Sequence, residues 1–302
     1  MFTVPDFLQQ GDRVAIVSPS GPIDIEYIHK AVSVLESWGL QVCLGKHVCH
    51  KYGVFAGTDA QRLADFQEVI DNDSIKAVFC SRGGYGAIRI VQNLDFTKYV
   101  QKPKWIIGFS DITVFHAKIS SLHIASMHAA MPKNFSTVTP QSLESLQQAL
   151  FGNVQPIRWQ SSSFNTLGTA RGRLTGGNLS MLYSLRGLSF EYDYSGTLLF
   201  IEDLNEYLYH IDRMMQNLKL SGILSRIAGL IVGGMSGMKQ GVDVYNASVE
   251  AIISEVLVPY NIPVCFNAPT GHESDNMALI PGIEYQLQVQ SNNVVLQPLT
   301  VL

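Results

Sequence analysis

Four cysteines in 302 residues are too few and too scattered to form a disulfide framework. No apolar run approaches the roughly eighteen residues a membrane helix needs, and Met1-Phe2-Thr3-Val4-Pro5-Asp6 lacks the positive n-region of a secretory leader. A soluble cytoplasmic chain with no membrane partner is therefore expected. Charge is also scarce, at 15% of residues, and the net charge of −4 leaves no broad basic surface for a nucleic-acid backbone. Internal repeats and low-complexity segments are absent. Cys43, His47, Cys49 and His50 lie close together, but their spacing matches no common zinc signature. Cys43 sits inside the apolar run 40–44, where burial as a small hydrophobe explains it, so no metal is expected.

What is plentiful is apolar residue, 46% of the chain, enough for one large core or two ordinary ones. Two domains are expected: an N-terminal α/β domain over 1–152, a serine-rich linker over 153–168 and a C-terminal domain over 169–302. In the first half short apolar runs alternate with helical patterns. Strands are expected at 14–17, 40–44, 77–80 and 105–109, and helices at 25–38, 58–71, 87–94 and 112–122. Thr58 followed by Gln61 marks a capping box at the start of the second helix. Such alternation indicates a parallel sheet covered on both faces, whose ligands gather beyond the carboxyl ends of the strands. Those ends carry Ser18-Pro19-Ser20-Gly21-Pro22, Ser81-Arg82-Gly83-Gly84-Tyr85-Gly86 and Gly108-Phe109-Ser110. The second half is more mixed, with helices expected at 179–185, 207–218 and 244–257, strands at 197–201, 230–232 and 264–267, and a terminal hairpin at 285–296.

Three constellations carry chemistry. The run Trp105 to Thr113 reads as a buried strand that delivers Ser110 into a tight turn before a helix. A serine nucleophile needs rigid presentation, a base and nearby backbone N–H donors, and a strand-to-helix elbow can help with all three. The same serine could simply cap the following helix. The glycine-rich turn 81–86 resembles a dinucleotide fingerprint, but Arg89 stands where a small residue should pack and no acidic strand end follows at the expected distance. Its glycines instead allow backbone N–H groups to approach an oxyanion, or merely form a tight turn. Among eight histidines, His116, His123, His128 and His210 read as structural, whereas His272 lies on a loop at a strand end, where scaffolds present catalytic side chains. Glu202 and Asp203, at the end of another strand, are both candidates to orient its imidazole, or both merely begin the next helix.

Taken together and in order, SRGGYGA (81–87), WIIGFSDIT (105–113), GGNLSML (176–182), LFIEDLNEYLYHIDRMM (199–215) and PTGHESDN (269–276) resemble the LD-carboxypeptidase family of serine peptidases. The resemblance runs from about residue 12 to 290. It implies a flavodoxin-like parallel-sheet domain followed by a smaller mixed, β-rich domain, and commonly a homodimer. It also implies removal of the terminal D-alanine from muropeptide tetrapeptides during cell-wall recycling, without a cofactor. Ser110 is then the nucleophile, Glu202 the orienting acid and His272 the general base. The amides of Asp111 and Gly84 are the implied oxyanion donors, and Arg82 and Asn178 are candidates to meet the substrate's terminal carboxylate. Two other readings use the same residues: a related serine hydrolase that inactivates acyl-sulfamoyl adenylates and other peptide-nucleotide antibiotics, and a non-catalytic two-lobed binding protein in which Ser110 is only a cap.

Overall fold

The structure, a computed structural model, describes residues 2–241 and 244–299. The chain divides into two compact units. One runs to Val154 and takes in Ser274–Gly282; the other comprises Gln155–Glu273 and the chain from Ile283.

The first unit is built on a parallel sheet of β1 (Arg13–Val17), β2 (Gln41–Leu44), β3 (Ile75–Cys80), β4 (Trp105–Gly108) and β5 (Met127–His128). Their order, β2-β1-β3-β4-β5, is the flavodoxin-like one. Val14–Val17, Ala77–Cys80 and Trp105–Gly108 are buried at every position, as expected for strands covered on both faces. The crossovers are α1 (Ile25–Ser37), α2 (Asp59–Asp71), the short α3 (Ala87–Ile90) with α4 (Thr97–Gln101), and α5 (Thr113–Ser121), followed by α6 (Pro140–Leu150). Helix α1 buries Ile28, Ala31 and Leu35, one face at helical spacing. Helix α2 begins at the expected capping box, Thr58 accepting from the Gln61 amide while the Gln61 side chain takes the Thr58 N–H. Its Phe66 stacks on Phe115 of α5 with ring centroids 4.4 Å apart. The returning segment 274–282 exchanges two 2.9 Å hydrogen bonds between Leu279 and His128 of β5.

The second unit holds β6 (Ile157–Gln160), β7 (Gly168–Asn178), α7 (Leu179–Ser184), β8 (Leu198–Leu204), α8 (Leu208–Leu220), β9 (Gly229–Ser236), α9 (Val249–Leu257), β10 (Val264–Cys265), β11 (Glu284–Val289) and β12 (Asn293–Pro298). Its strands form one mixed sheet in the order β10-β9-β8-β7-β11-β12-β6. Strands β7 to β10 run parallel, and β11, β12 and β6 continue from β7 as antiparallel neighbours. The apolar run Leu198–Ile201 carries β8 through the core and leaves Glu202 and Asp203 buried at its carboxyl end.

Candidate active site

In the first unit, β4 delivers Ser110 in a left-handed backbone conformation, φ +64°. A residue with a Cβ pays strain there, and such outliers persist where the surroundings over-determine them. Several contacts do so. His116 of α5 bonds the Gly108 carbonyl through Nε2 and Ser126 Oγ through Nδ1, each at 2.8 Å. Burial lowers the His116 pKa to about 4, so the ring is neutral. Because a carbonyl only accepts, Nε2 carries the proton and Nδ1 accepts from the serine hydroxyl.

The glycine-rich turn after β3 packs directly on this elbow. A Cβ built on Gly83 would fall 2.8 Å from both Cβ and Oγ of Ser110, so only glycine fits. The Gly83 carbonyl accepts from the Gly21 amide at 3.1 Å. Arg62 of α2, 1% exposed, donates to the carbonyls of Pro19 and Gly86 and so ties the loop after β1 to the glycine turn. Asp111, 2% exposed, accepts at Oδ2 from Ser20 Oγ (2.6 Å) and from the Ala87 amide (2.9 Å). Burial raises its pKa, opposed by Ser20, the Ala87 and Gly86 amides and the charge of Arg62. Gly84 is exposed at the tip of the turn, and Arg82, half-buried, donates through Nη1 to the Pro22 carbonyl at 3.0 Å.

In the second unit, Glu202 and Asp203 have separate partners, as successive strand residues must. Oε2 of Glu202, a fully buried side chain, lies 2.6 Å from Nδ1 of His272, on the loop after β10. Asp203 instead takes the Ser180 amide and hydroxyl, the Asn178 side-chain N–H and its neighbour Leu204 N–H, all within 2.9 Å. Of the two acids that the sequence leaves open, the geometry pairs Glu202 with His272. Gly271 adopts φ +103°, and a Cβ there would meet Glu202 Oε2 at 2.7 Å. Ser236 Oγ, at the end of β9, braces the loop, 2.8 Å from the His272 carbonyl and 2.6 Å from Glu273 Oε1.

Burial opposes a charged His272 ring, but attraction to Glu202, reinforced by their hydrogen bond and by Asp203 and Glu273, outweighs it and raises the pKa. With Nδ1–H donated to Glu202, neutral His272 offers Nε2 as a base. Asn178 ends β7 and caps α7, its side chain accepting from the Met181 amide at 3.2 Å while donating to Asp203.

The expected residues thus fall into two groups: Ser110, Asp111, Gly84 and Arg82 around the ends of β3 and β4 in one unit, and Glu202, His272 and Asn178 around the ends of β7, β8 and β10 in the other. Ser20, Arg62, Ser236 and the Asp111 carboxylate were missed by the sequence reading. Only Ser20 carried a signal, its place in a loop at a strand end. His47 pairs its Nδ1 with Asp65 at 2.7 Å, and among the described residues no group of three or more His, Cys, Asp or Glu side chains is arranged to hold a metal.

Comparison with known proteins adds an independent observation. Residues 14–129 match the LD-carboxypeptidase N-terminal domain, and residues 171–287 match the LD-carboxypeptidase C-terminal domain. A probable murein peptide carboxypeptidase of Bacillus subtilis (strain 168) is 33% identical, over 97% of this chain and 94% of the relative. The crystal structure of muramoyltetrapeptide carboxypeptidase from Oxalobacter formigenes superposes with a TM-score of 0.87 at 29% identity, covering 95% of this chain and 98% of that one. The microcin C7 self-immunity protein MccF of Escherichia coli is 23% identical over 95% of this chain and 93% of its own.

Proposed function

This chain belongs to the LD-carboxypeptidase family, and from that premise we propose that it is a serine carboxypeptidase hydrolysing the L,D-amide to the terminal D-alanine of muropeptide tetrapeptides, in the cytoplasm, during cell-wall recycling. The observation that carries the reading is the pairing of buried Glu202 with the partly exposed His272, an acid and an imidazole arranged as the base half of a serine triad.

In this mechanism His272 Nε2 takes the Ser110 proton as Oγ attacks the carbonyl of the scissile amide. The amides of Asp111 and Gly84 stabilise the oxyanion, each such donor being worth about 3 to 4 kcal/mol in the transition state. The C–N bond breaks, His272 returns the proton to the departing D-alanine amine, and an ester to Ser110 remains. Water, deprotonated by His272, then releases the tripeptide and restores Ser110. Glu202 holds the imidazole tautomer and stabilises its cation. Arg82 and Asn178 receive the terminal carboxylate of the substrate, and the enzyme works as a homodimer without a cofactor.

The deciding experiment is D-alanine release from a purified muropeptide tetrapeptide by wild type and Ser110→Ala, followed by mass spectrometry. Tripeptide from wild type alone is expected. If neither protein cleaves it, hydrolysis of an acyl-sulfamoyl adenylate is the next assay; activity there replaces the peptide substrate while keeping the triad. Full retention of cleavage by Ser110→Ala removes the nucleophile assignment.

A further inference from the structure

We propose that the Asp111 carboxylate is the strut that holds the two halves of the oxyanion site in register, a positioning role distinct from that of the same residue's backbone N–H. The inference rests on the proposed assignment of the Asp111 and Gly84 amides as donors. One oxygen, Oδ2, accepts from Ser20 Oγ at 2.6 Å and from the Ala87 amide at 2.9 Å. It therefore joins three segments distant in sequence: the loop after β1, the glycine turn where it enters α3, and the elbow after β4. Ala87 lies three residues beyond Gly84, so the strut spans from one donor-bearing turn to the other. Arg62 reinforces the same junction through the carbonyls of Pro19 and Gly86.

The arrangement is costly as mere architecture. The carboxylate is 2% exposed, and Oδ1 has no hydrogen-bond partner among the described residues. A buried carboxylate loses solvation that its bonds to Ser20 and Ala87, with the nearby Gly86 amide and the Arg62 charge, only partly replace. What it provides is rigidity between loops that otherwise meet only beyond their strand ends. Oxyanion donors act when they are preorganised at hydrogen-bond distance from the developing charge, and a misplacement of about 1 Å can cost about a hundredfold in rate. Asp111 thus acts through the backbone rather than by touching substrate, so its removal should spare binding and slow the chemistry.

The test compares wild type, Asp111→Ala, Asp111→Asn and Ser20→Ala by kcat and KM for D-alanine release, by the rate of Ser110 labelling with a fluorophosphonate, and by thermal unfolding. Asp111→Ala should lower kcat and the labelling rate by about ten- to a hundredfold with KM within about twofold of wild type. Asp111→Asn retains an acceptor oxygen for both donors and should recover most of that loss. Ser20→Ala, which removes one of the two bonds without emptying the site, should fall between. Wild-type kcat in Asp111→Ala, or in Ser20→Ala if the former does not fold, overturns the strut, as does Asp111→Asn falling as far as alanine. A wild type that takes the label but releases no D-alanine removes the substrate assignment while the labelling rates still test the strut. A wild type inert to both removes the hydrolase reading and the strut with it.

Discussion

Oε2 of Glu202 lies 2.6 Å from Nδ1 of His272, and the glutamate is fully buried while the imidazole keeps 15% of its side chain exposed. The asymmetry gives each partner its task. A carboxylate shut away from water is screened much less than an exposed one, so its charge acts strongly on the ring. The ring keeps some exposure, and with Nδ1 turned to Glu202 it is Nε2 that is left to exchange a proton in the proposed mechanism. Gly271 makes the contact possible, because any side chain at that position would occupy the space of the Glu202 carboxylate.

Glu202→Gln is expected to lower kcat by about ten-thousandfold with little change in fold. The amide matches the carboxylate in size but supplies no charge for the imidazolium, and its NH2 group can hold the wrong imidazole tautomer. Steady-state D-alanine release together with thermal unfolding checks this. A loss under tenfold would mean that His272 keeps its tautomer without Glu202.

The pH profile should carry the mark of the acids around His272. Its pKa is raised from 6.5, burial being outweighed by Glu202, Asp203 and Glu273. The general base must be neutral, so the acid limb of kcat/KM should lie above 6.5. Glu273→Gln should move that limb toward lower pH. Stability runs the other way: a folded-state pKa above the unfolded one gives a contribution fully present below about 6.5 and lost as pH rises through the folded value. Activity therefore gains where this contribution to stability fades. An acid limb below 6.5 in wild type, or one unmoved in Glu273→Gln, would count against His272 as the base under this field.

Gly83→Ala tests the packing of the glycine turn on the nucleophile. The new Cβ would fall 2.8 Å from both Cβ and Oγ of Ser110. Rotation about χ1 can move Oγ but not the serine Cβ, so the two turns must part. The expected result is a fall of about a hundredfold in kcat and a stability loss of about 1–3 kcal/mol, read by kinetics and denaturant unfolding. Unchanged kcat would show that the elbow does not need the contact.

The parallel half of the fold was readable because its strands are short, continuous and apolar and its helices carry their own punctuation, Thr58 with Gln61 above all. The expected strand 105–109 and the turn that presents Ser110 are both in the structure. Where expectation and structure part, local signals were overruled. The helix expected at 87–94 is only one turn, Ala87–Ile90, followed by the 3-10 turn Val91–Asn93. The helix expected from residue 244 starts at Val249, where Ser248 caps the Ala251 amide. Strand β7 went unread because its glycines look like a turn, yet a Cβ at Gly176 would fall 1.9 Å from the Phe200 carbonyl oxygen, so the close approach of β8 demands glycine there. The choice between Glu202 and Asp203 was invisible for a simpler reason: adjacent residues on a strand differ only in the face they meet, and the partners on each face come from Ser180 and His272, distant in sequence. The Asp111 strut was hidden likewise, since its partners Ser20 and Ala87 lie on other loops.

Arg82 separates a substrate contact from a structural one. Its Nη1 holds the Pro22 carbonyl at 3.0 Å, its guanidinium lies beside Gly21, and Nε has no hydrogen-bond partner among the described residues. Loss of activity in Arg82→Met would by itself fit either role, because the Pro22 bond disappears in both. The substrate supplies the missing comparison. A tetrapeptide ending in D-alaninamide lacks the carboxylate that Arg82 is proposed to meet, so wild type should favour the free acid in kcat/KM by about ten- to a hundredfold, the strength of one charge-assisted hydrogen bond. In Arg82→Met that preference should shrink by about tenfold or more, with most of the loss on the free acid appearing in KM. If the variant instead slows both peptides equally and keeps the preference, Arg82 serves the loop after β1 alone, and the carboxylate must be met by another donor, with Asn178 the first to be tested.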